Sequence, residues 1–298
     1  MLPEKTNHLK PYLLLHFSVF LYGLSGIFGK MISLEGVALV WYRMVITLGT
    51  LLFFPAVFRK ARQTSRKQLL RMMGLGVLLA LHWITFFDSI HLSNVTIALS
   101  CLAASAFFTS LIEPLVFGEK IQFKEIFLGL LVIGGFACMI EFTGEKYLVG
   151  IILGIISAFL YALITVGNKT AVSKVDGYVI TFVEFFGGVL FVSLLVPFYK
   201  YFSPETVWIP NAQDWLFLIA LVLLCSTLAY NITLVAMKEV SAYTAALTFN
   251  IEPIYAIFLA YLIFREDKEL HPGVYFGAVL ILVSVFLDFW WKRRSAKE

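Results

Sequence analysis

Charge is scarce in this chain. Only 14% of its 298 residues are Asp, Glu, Lys or Arg, whereas 60% are hydrophobic, and a soluble domain averages about 25% charged. A water-soluble fold this apolar could not cover its surface; a bilayer tolerates it. Cysteine is sparse and dispersed. Cys101, Cys138 and Cys225 stand far apart inside apolar runs, which excludes a disulfide framework or a clustered zinc site. Signatures of chemistry are also missing. There is no His-Glu-x-x-His, no Gly-x-Ser-x-Gly, no paired aspartates for a prenyl diphosphate and no phosphate-binding P-loop. These absences weigh against an intramembrane enzyme, and against ATP-driven transport by this chain alone; no cofactor or metal is expected. No loop resembles a selectivity filter, which weighs against a channel. The longest polar stretches, 59–68 and 200–212, leave no room for a soluble domain.

What is present is a succession of apolar runs. A membrane helix needs about 20 such residues, and ten runs qualify: 11–30, 36–58, 69–88, 94–117, 123–141, 148–168, 177–199, 213–236, 241–264 and 272–291. The first is longer than a signal-peptide core of about 7–15 residues, so it reads as a retained membrane helix. The net charge of +4 is no nucleic-acid signal, because the basic residues flank these runs. With the N-terminus placed in the cytoplasm, 17 Lys and Arg residues fall on that side and 5 outside, while Arg43 lies within a helix. The bias predicts a multi-pass protein of the cell (inner) membrane with both termini cytoplasmic and an even number of helices.

The two halves of the sequence look alike. Phe20-Leu21-Tyr22 matches Phe159-Leu160-Tyr161, and Gly29-Lys30 matches Asn168-Lys169 at the same offset. Trp83 falls opposite Tyr230, Asn94–Ala98 opposite Ser241–Ala245, and Gly118-Glu119 opposite Arg265-Glu266. Each half holds five runs, an odd number, so the second half enters the membrane from the other side. The expected fold is therefore an all-α integral membrane protein of ten transmembrane helices, built as two inverted five-helix repeats over 11–142 and 148–291. Many secondary transporters are built this way.

At these residues the chain resembles an EamA-type member of the drug/metabolite transporter superfamily, over about 11–291. The resemblance is carried by Tyr22–Lys30 (YGLSGIFGK), Arg43 within WYRMVITL, Ser157–Lys169 (SAFLYALITVGNK) and Glu252–Glu266 (EPIYAIFLAYLIFRE). It implies ten helices, a central cavity lined by the third, fourth, eighth and ninth, and carriage of a small metabolite. The first half departs from the pattern. Ala106 stands where the second half has Pro253, and its proline is displaced to Pro114, so a symmetric pair of kinks is not expected.

Ionisable residues inside apolar runs are functional candidates by default, because burying them in lipid costs about 2.5–3.5 kcal/mol each. Glu252 lies about ten residues into the ninth run, about 15 Å deep, followed by Pro253. It could hold a substrate amine or carry a coupling proton. Arg43 and Glu184 take matched places in the second and seventh runs, but at different depths. They read as structural or gating anchors, each within its own half, rather than as a salt bridge, and Arg43 could alternatively bind an anionic substrate. Glu113, Pro114 and Pro253 join them as gate, cap or kink residues. His82, Trp83 and Phe86 form a polar-aromatic patch in the third run, opposite Tyr230 and Asn231 in the eighth. With Tyr22, Tyr161, Asn250 and Glu252 they make the expected binding set, because aromatics with a few placed polar groups suit a small amphipathic ligand. Lys30 and Asp88 fall near the outer face, where they could pair. Three sequons, at Asn94, Asn168 and Asn231, are weak signals. Glycines such as Gly76, Gly150, Gly154, Gly187 and Gly188 fit tight helix contacts. The expected function is a secondary transporter of a small amino-acid-like or similar amphipathic solute, an exporter by preference. Its partners would be that solute and the bilayer, with proton coupling and a homodimer compatible with the sequence.

Overall fold

The structure, a computed structural model, describes residues 9–118, 123–249, 251–265 and 271–295. Asn250, Glu119 and Glu266 lie outside the described residues. In chain order the helices are α1 (Leu9–Met31), α2 (Gly36–Leu52), α3 (Pro55–Gln63), α4 (Arg66–Leu92), α5 (Val95–Leu102), α6 (Ser105–Phe117) and α7 (Phe123–Thr143). After a 3₁₀ turn come α8 (Leu148–Val172), α9 (Gly177–Phe202), α10 (Ala212–Ala220), α11 (Ala229–Ala236), α12 (Ala242–Phe249), α13 (Glu252–Phe264) and α14 (Pro272–Ser295). A π-helical stretch, Leu221–Leu228, joins α10 to α11 without interruption. No strand occurs among the described residues. By length and composition, six described helices can cross a membrane, or seven if the bent α2–α3 pair is one span.

The run 36–58 is not one helix. It breaks at Phe53–Phe54, and α3 leaves α2 at 94°. Pro55 explains the break: its ring disfavours the helical region for the residue before it, and Phe54 takes φ −112°, ψ 84°. The freed segment carries Arg59, Lys60 and Arg62 and opens towards α4, whose first turn is closed by a Ser65–Gln68 capping box.

The runs 94–117 and 241–264 are each broken too, and in the same register. α5 and α12 are each 8 residues long; α6 and α13 are each 13. Both second segments end on a left-handed residue, Gly118 (φ 76°) and Arg265 (φ 56°). Glycine adopts that conformation without cost; Arg265 is the only non-glycine among the described residues that does. The unmatched prolines therefore do not make the breaks unmatched. α6 begins at Ser105 with no proline in its first turn, where α13 carries Pro253.

Close packing sits where small residues allow it. A Cβ on Gly76 of α4 would overlap the backbone carbonyl of Glu184 in α9, and one on Gly187 would lie 2.6 Å from the Met73 carbonyl. Gly150 and Gly154 of α8 likewise admit Ser93 and Cys101. Gly74 and Gly134, by contrast, have nothing within 4 Å. α1 threads the centre, with Gly23 against α13 and Gly26 against α5.

Polar ties close both ends of the bundle. At one end the buried Asp214 carboxylate accepts from the Ser33 N–H and hydroxyl (2.7 Å each), and Glu35 accepts from Thr206 at 3.2 Å. Asp88 accepts the Gly36 N–H at 3.2 Å, so its bond goes to the start of α2. At the other end Lys60 meets Asp176 at 2.8 Å, and Lys169 donates to the last carbonyls after α11, those of Met237 and Val240. Glu113, expected at a solvated helix end or gate, is half-buried and accepts the Ala242 N–H at 3.0 Å, capping α12.

Candidate functional site

Arg43 organises the interior. Its side chain is 1% exposed, and its guanidinium lies 3.7 Å from the centre of the Trp83 ring and 5.7 Å from that of Phe87. Trp83 and Phe87 share a face of α4 one turn apart, so the cation is held over aromatic surface. Its Nε donates to the Ser226 hydroxyl at 2.5 Å, while Nη1 is buried with no partner. Arg43 was expected to anchor its own half. It reaches instead across to the second, because Ser226 belongs to the π-helical stretch. The widened turn there frees backbone from the i→i−4 ladder. On the same stretch the Cys225 thiol donates to the Leu21 carbonyl at 3.1 Å, tying it to α1.

Glu252 opens α13 at the break and is 8% exposed. With Tyr22 and Cys225 it lies close enough to Arg43 to interact electrostatically. Arg43 and Glu252 stay outside the 4.0 Å of an ion pair. Phe249, the last residue of α12 across the break from Glu252, is flanked by Tyr22 (ring centres 5.6 Å) and Tyr161 (5.9 Å). These tyrosines hold matched places in α1 and α8, so the two halves meet on one ring. Tyr161 lies tilted against His82 with ring centres 5.0 Å apart, and Phe86 stacks on the same imidazole at 6.2 Å. His82 Nδ1 lies 3.0 Å from the Ser157 carbonyl, and the Ser157 hydroxyl donates back to the His82 carbonyl at 3.1 Å. That reciprocal pair pins α4 to α8.

Glu184 and Tyr230 form a second polar centre. Asn168 Nδ2 donates to the Tyr230 hydroxyl at 2.9 Å, which donates to Glu184 Oε2 at 2.5 Å. Glu184 Oε1 and Asn168 Oδ1 are buried without partners. Asn231 accepts from the Thr181 hydroxyl at 3.0 Å and donates to the Thr227 carbonyl at 2.8 Å, so it fastens α11 to α9. Phe185 stands between the centres, edge-on to Trp83 (5.5 Å) and to Tyr230 (5.8 Å). Asn94, Asn168 and Asn231, the sequon residues, are all buried.

Of the expected binding set, the structure brings Tyr22, Trp83 and Glu252 together around Arg43, with Tyr161, His82 and Phe86 as the next layer. It places Tyr230 and Asn231 in the Glu184 centre. Sequence reasoning missed Ser226, Cys225, Phe185 and Phe249. Only Phe249 had a signal, standing three residues before Glu252 on the same helical face.

This arrangement has known relatives. The sequence profile of the EamA-like transporter family matches the chain twice, over residues 9–140 and 148–290. An uncharacterised transporter of Clostridium kluyveri is 26% identical over 94% of this chain and 93% of its own length. One from Bacillus subtilis is 22% identical over 89% and 87%, and one from Archaeoglobus fulgidus 24% over 91% and 93%. A solved crystal structure aligns with a TM-score of 0.62 at 15% identity, covering 92% of this chain and 95% of that one, and shares the fold. The chain belongs to the EamA-like transporter family.

Proposed function

We propose that this membrane transporter is a secondary carrier of ten membrane passes. In this reading two inverted five-helix repeats, 11–142 and 148–291, expose one midplane pocket alternately to either side and move a small amphipathic metabolite outward. Both termini then lie in the cytoplasm, and the protein sits in the cell (inner) membrane. Three features support the repeat: the double family match, the equal broken segments α5–α6 and α12–α13, and the left-handed residue ending each. An inverted pair of similar halves can exchange conformations, which is the physical basis of alternating access.

The observation that carries the reading is the buried Arg43–Trp83–Glu252 centre beside the α12–α13 break. Charged groups in the interior of a membrane bundle are costly to bury and mark solute pathways. Broken helices expose backbone groups only where they line a cavity or pack in protein. Here the aromatic faces of Tyr22, Tyr161 and Phe249 supply apolar contact, and Arg43 and Glu252 supply the polar groups that orient a ligand.

The test is counterflow in proteoliposomes. Vesicles preloaded with unlabelled solute should transiently concentrate the labelled solute, with saturation. Flux that is linear in concentration and shows no counterflow would contradict a carrier.

A further inference from the structure

We propose that the cavity between the start of α4 and the end of α8 holds the phosphate of an anionic phospholipid headgroup, with the acyl chains running down the exposed face of α4. The site is separate from the solute pathway and requires only that the chain spans a bilayer.

The cavity is half-open and about 350 Å³ in volume. Ser65, Lys67, Gln68 and Arg71 line it from the start of α4, and Thr170 and Lys174 from the end of α8 and the turn after it. Its described lining therefore holds three cations and no acid. Among the described residues, none of these three cationic side chains has a hydrogen bond or an ion pair. Asp176, the acid nearest to Lys174 along the chain, is already held by Lys60 at 2.8 Å. The chain from 36 to 87 contains no Asp or Glu, so α4 brings no countercharge before Asp88. Like charges around one cavity repel, and an anion between them relieves the repulsion. Arg with Lys and hydroxyl groups is the donor set that phosphate prefers. The positive end of α4 adds to it. The negative end of α8 lies there too, but its Ala171 carbonyl already accepts from the Lys174 and Val175 N–H groups at 2.9 and 3.0 Å.

Depth and the pattern below the cations select a lipid over a soluble anion. α4 is 27 residues long and α8 is 25, about 40 and 37 Å at about 1.5 Å per residue. A hydrocarbon core is about 30 Å thick, so the end the two helices share stands in the headgroup layer. Lys67, Leu70, Arg71 and Gly74 occupy one exposed face of α4. The cations come first, Leu70 is 68% exposed beside them, and Gly74 has open space where a Cβ would stand. Charge outermost with an apolar strip beneath it is the profile of a phospholipid. Basic pockets between membrane helices are suited to such headgroups. A free phosphate would meet the cations and leave the strip unused.

The experiment is native mass spectrometry of the delipidated full-length protein in detergent. It is titrated with phosphatidylglycerol and with phosphatidylcholine of the same acyl chains, whose choline neutralises the phosphate. One phosphatidylglycerol should bind at least about tenfold more tightly than phosphatidylcholine, with about fivefold contributed by each cation. Lys67→Gln, Arg71→Gln and Lys174→Gln together should erase the preference. Arg59→Gln, Arg62→Gln and Arg66→Gln together remove the same charge outside the cavity and should keep it. If the cavity variant is not recovered, Arg71→Gln alone should cost about fivefold, and no loss there overturns the proposal. Equal binding of the two lipids, or equal loss in both triple variants, also overturns it. So does displacement of the lipid by millimolar inorganic phosphate, which would make this a site for a soluble anion.

Discussion

Arg43 in α2 and Glu184 in α9 occupy matched places in the two halves, each beside the aromatic residue that the repeat pairs with the other's, Trp83 and Tyr230. The chain treats the two charges differently. Glu184 accepts from Tyr230, which in turn accepts from Asn168, next to the close α4–α9 contact at Gly76. Arg43 has one bond, to a hydroxyl of a π-helical turn, and keeps a buried donor free. Each keeps a buried polar atom without a partner, Glu184 Oε1 and Arg43 Nη1; what differs is that Glu184 is tied to Tyr230 and Asn168 in its own half, whereas Arg43 reaches across to Ser226, and we propose the first as a fastening and the second as a receptor. In the proposed repeat, a position would be kept and its use changed, packing in one half and recognition in the other.

Four substitutions and one control test that contrast, in order of expected effect. Arg43→Met should lower transport about ten- to hundredfold, because a charge-assisted hydrogen bond is worth about 1.5–3 kcal/mol. It should leave thermal stability in detergent unchanged or raised, since among the described residues Arg43 is in no ion pair that its loss would break, and its buried Nη1 has no partner to lose. A large fall in melting temperature would make Arg43 a fastening after all. Gly76→Val should destabilise by about 3 kcal/mol, because its side chain would drive into the Glu184 backbone. Gly74→Ala, with nothing within 4 Å, is the control and should be neutral or better. Equal effects at the two glycines would remove the crossing from the account.

Tyr230→Phe should cost about 1–3 kcal/mol, because it strips the partner from both Asn168 and Glu184. It should spare substrate KM; a raised KM with unchanged stability would move this centre into the receptor. Asp176→Asn should have the smallest effect, below about 1 kcal/mol, since the pair with Lys60 is largely exposed. Partial burial pushes the Asp176 carboxyl up, but Lys60 and the Tyr178 N–H outweigh it and hold it below the usual carboxylate range. A depressed carboxylate stabilises fully above its unfolded pKa of about 3.9 and loses the contribution as pH falls through its lower folded value. The gap in melting temperature between this variant and the native protein should thus be full at pH 7 and close below about pH 4. A gap that persists at pH 3 would contradict the assignment.

Much of the architecture was legible because lipid imposes long apolar runs, and most of the observed helices begin and end within a few residues of those runs. The α2–α3 bend was also legible, through Pro55, but a run defined by hydrophobicity alone passes over it. The break before Ser105 was not, because it has no proline in its first turn and its small residues look like ordinary helix. The site was legible only in part. Tyr22, Trp83, Tyr161 and Glu252 are conspicuous as aromatic or charged residues within apolar sequence. Ser226 and Cys225 are not, because their role comes from a π-helical register that leaves no mark in composition. The reach of Arg43 across to the other half depends on tertiary packing, which spacing along one chain segment does not encode.

The central claim is that one buried pocket opens to both sides. Cys225 reports on it directly: it is buried, on the π-helical turn, within electrostatic range of Arg43. In a Cys101→Ala, Cys138→Ala background, a small membrane-impermeant thiol reagent should modify Cys225 both in right-side-out and in inside-out vesicles, and a transported solute should slow both reactions. Modification from one side only, under every condition that supports transport, would contradict the account.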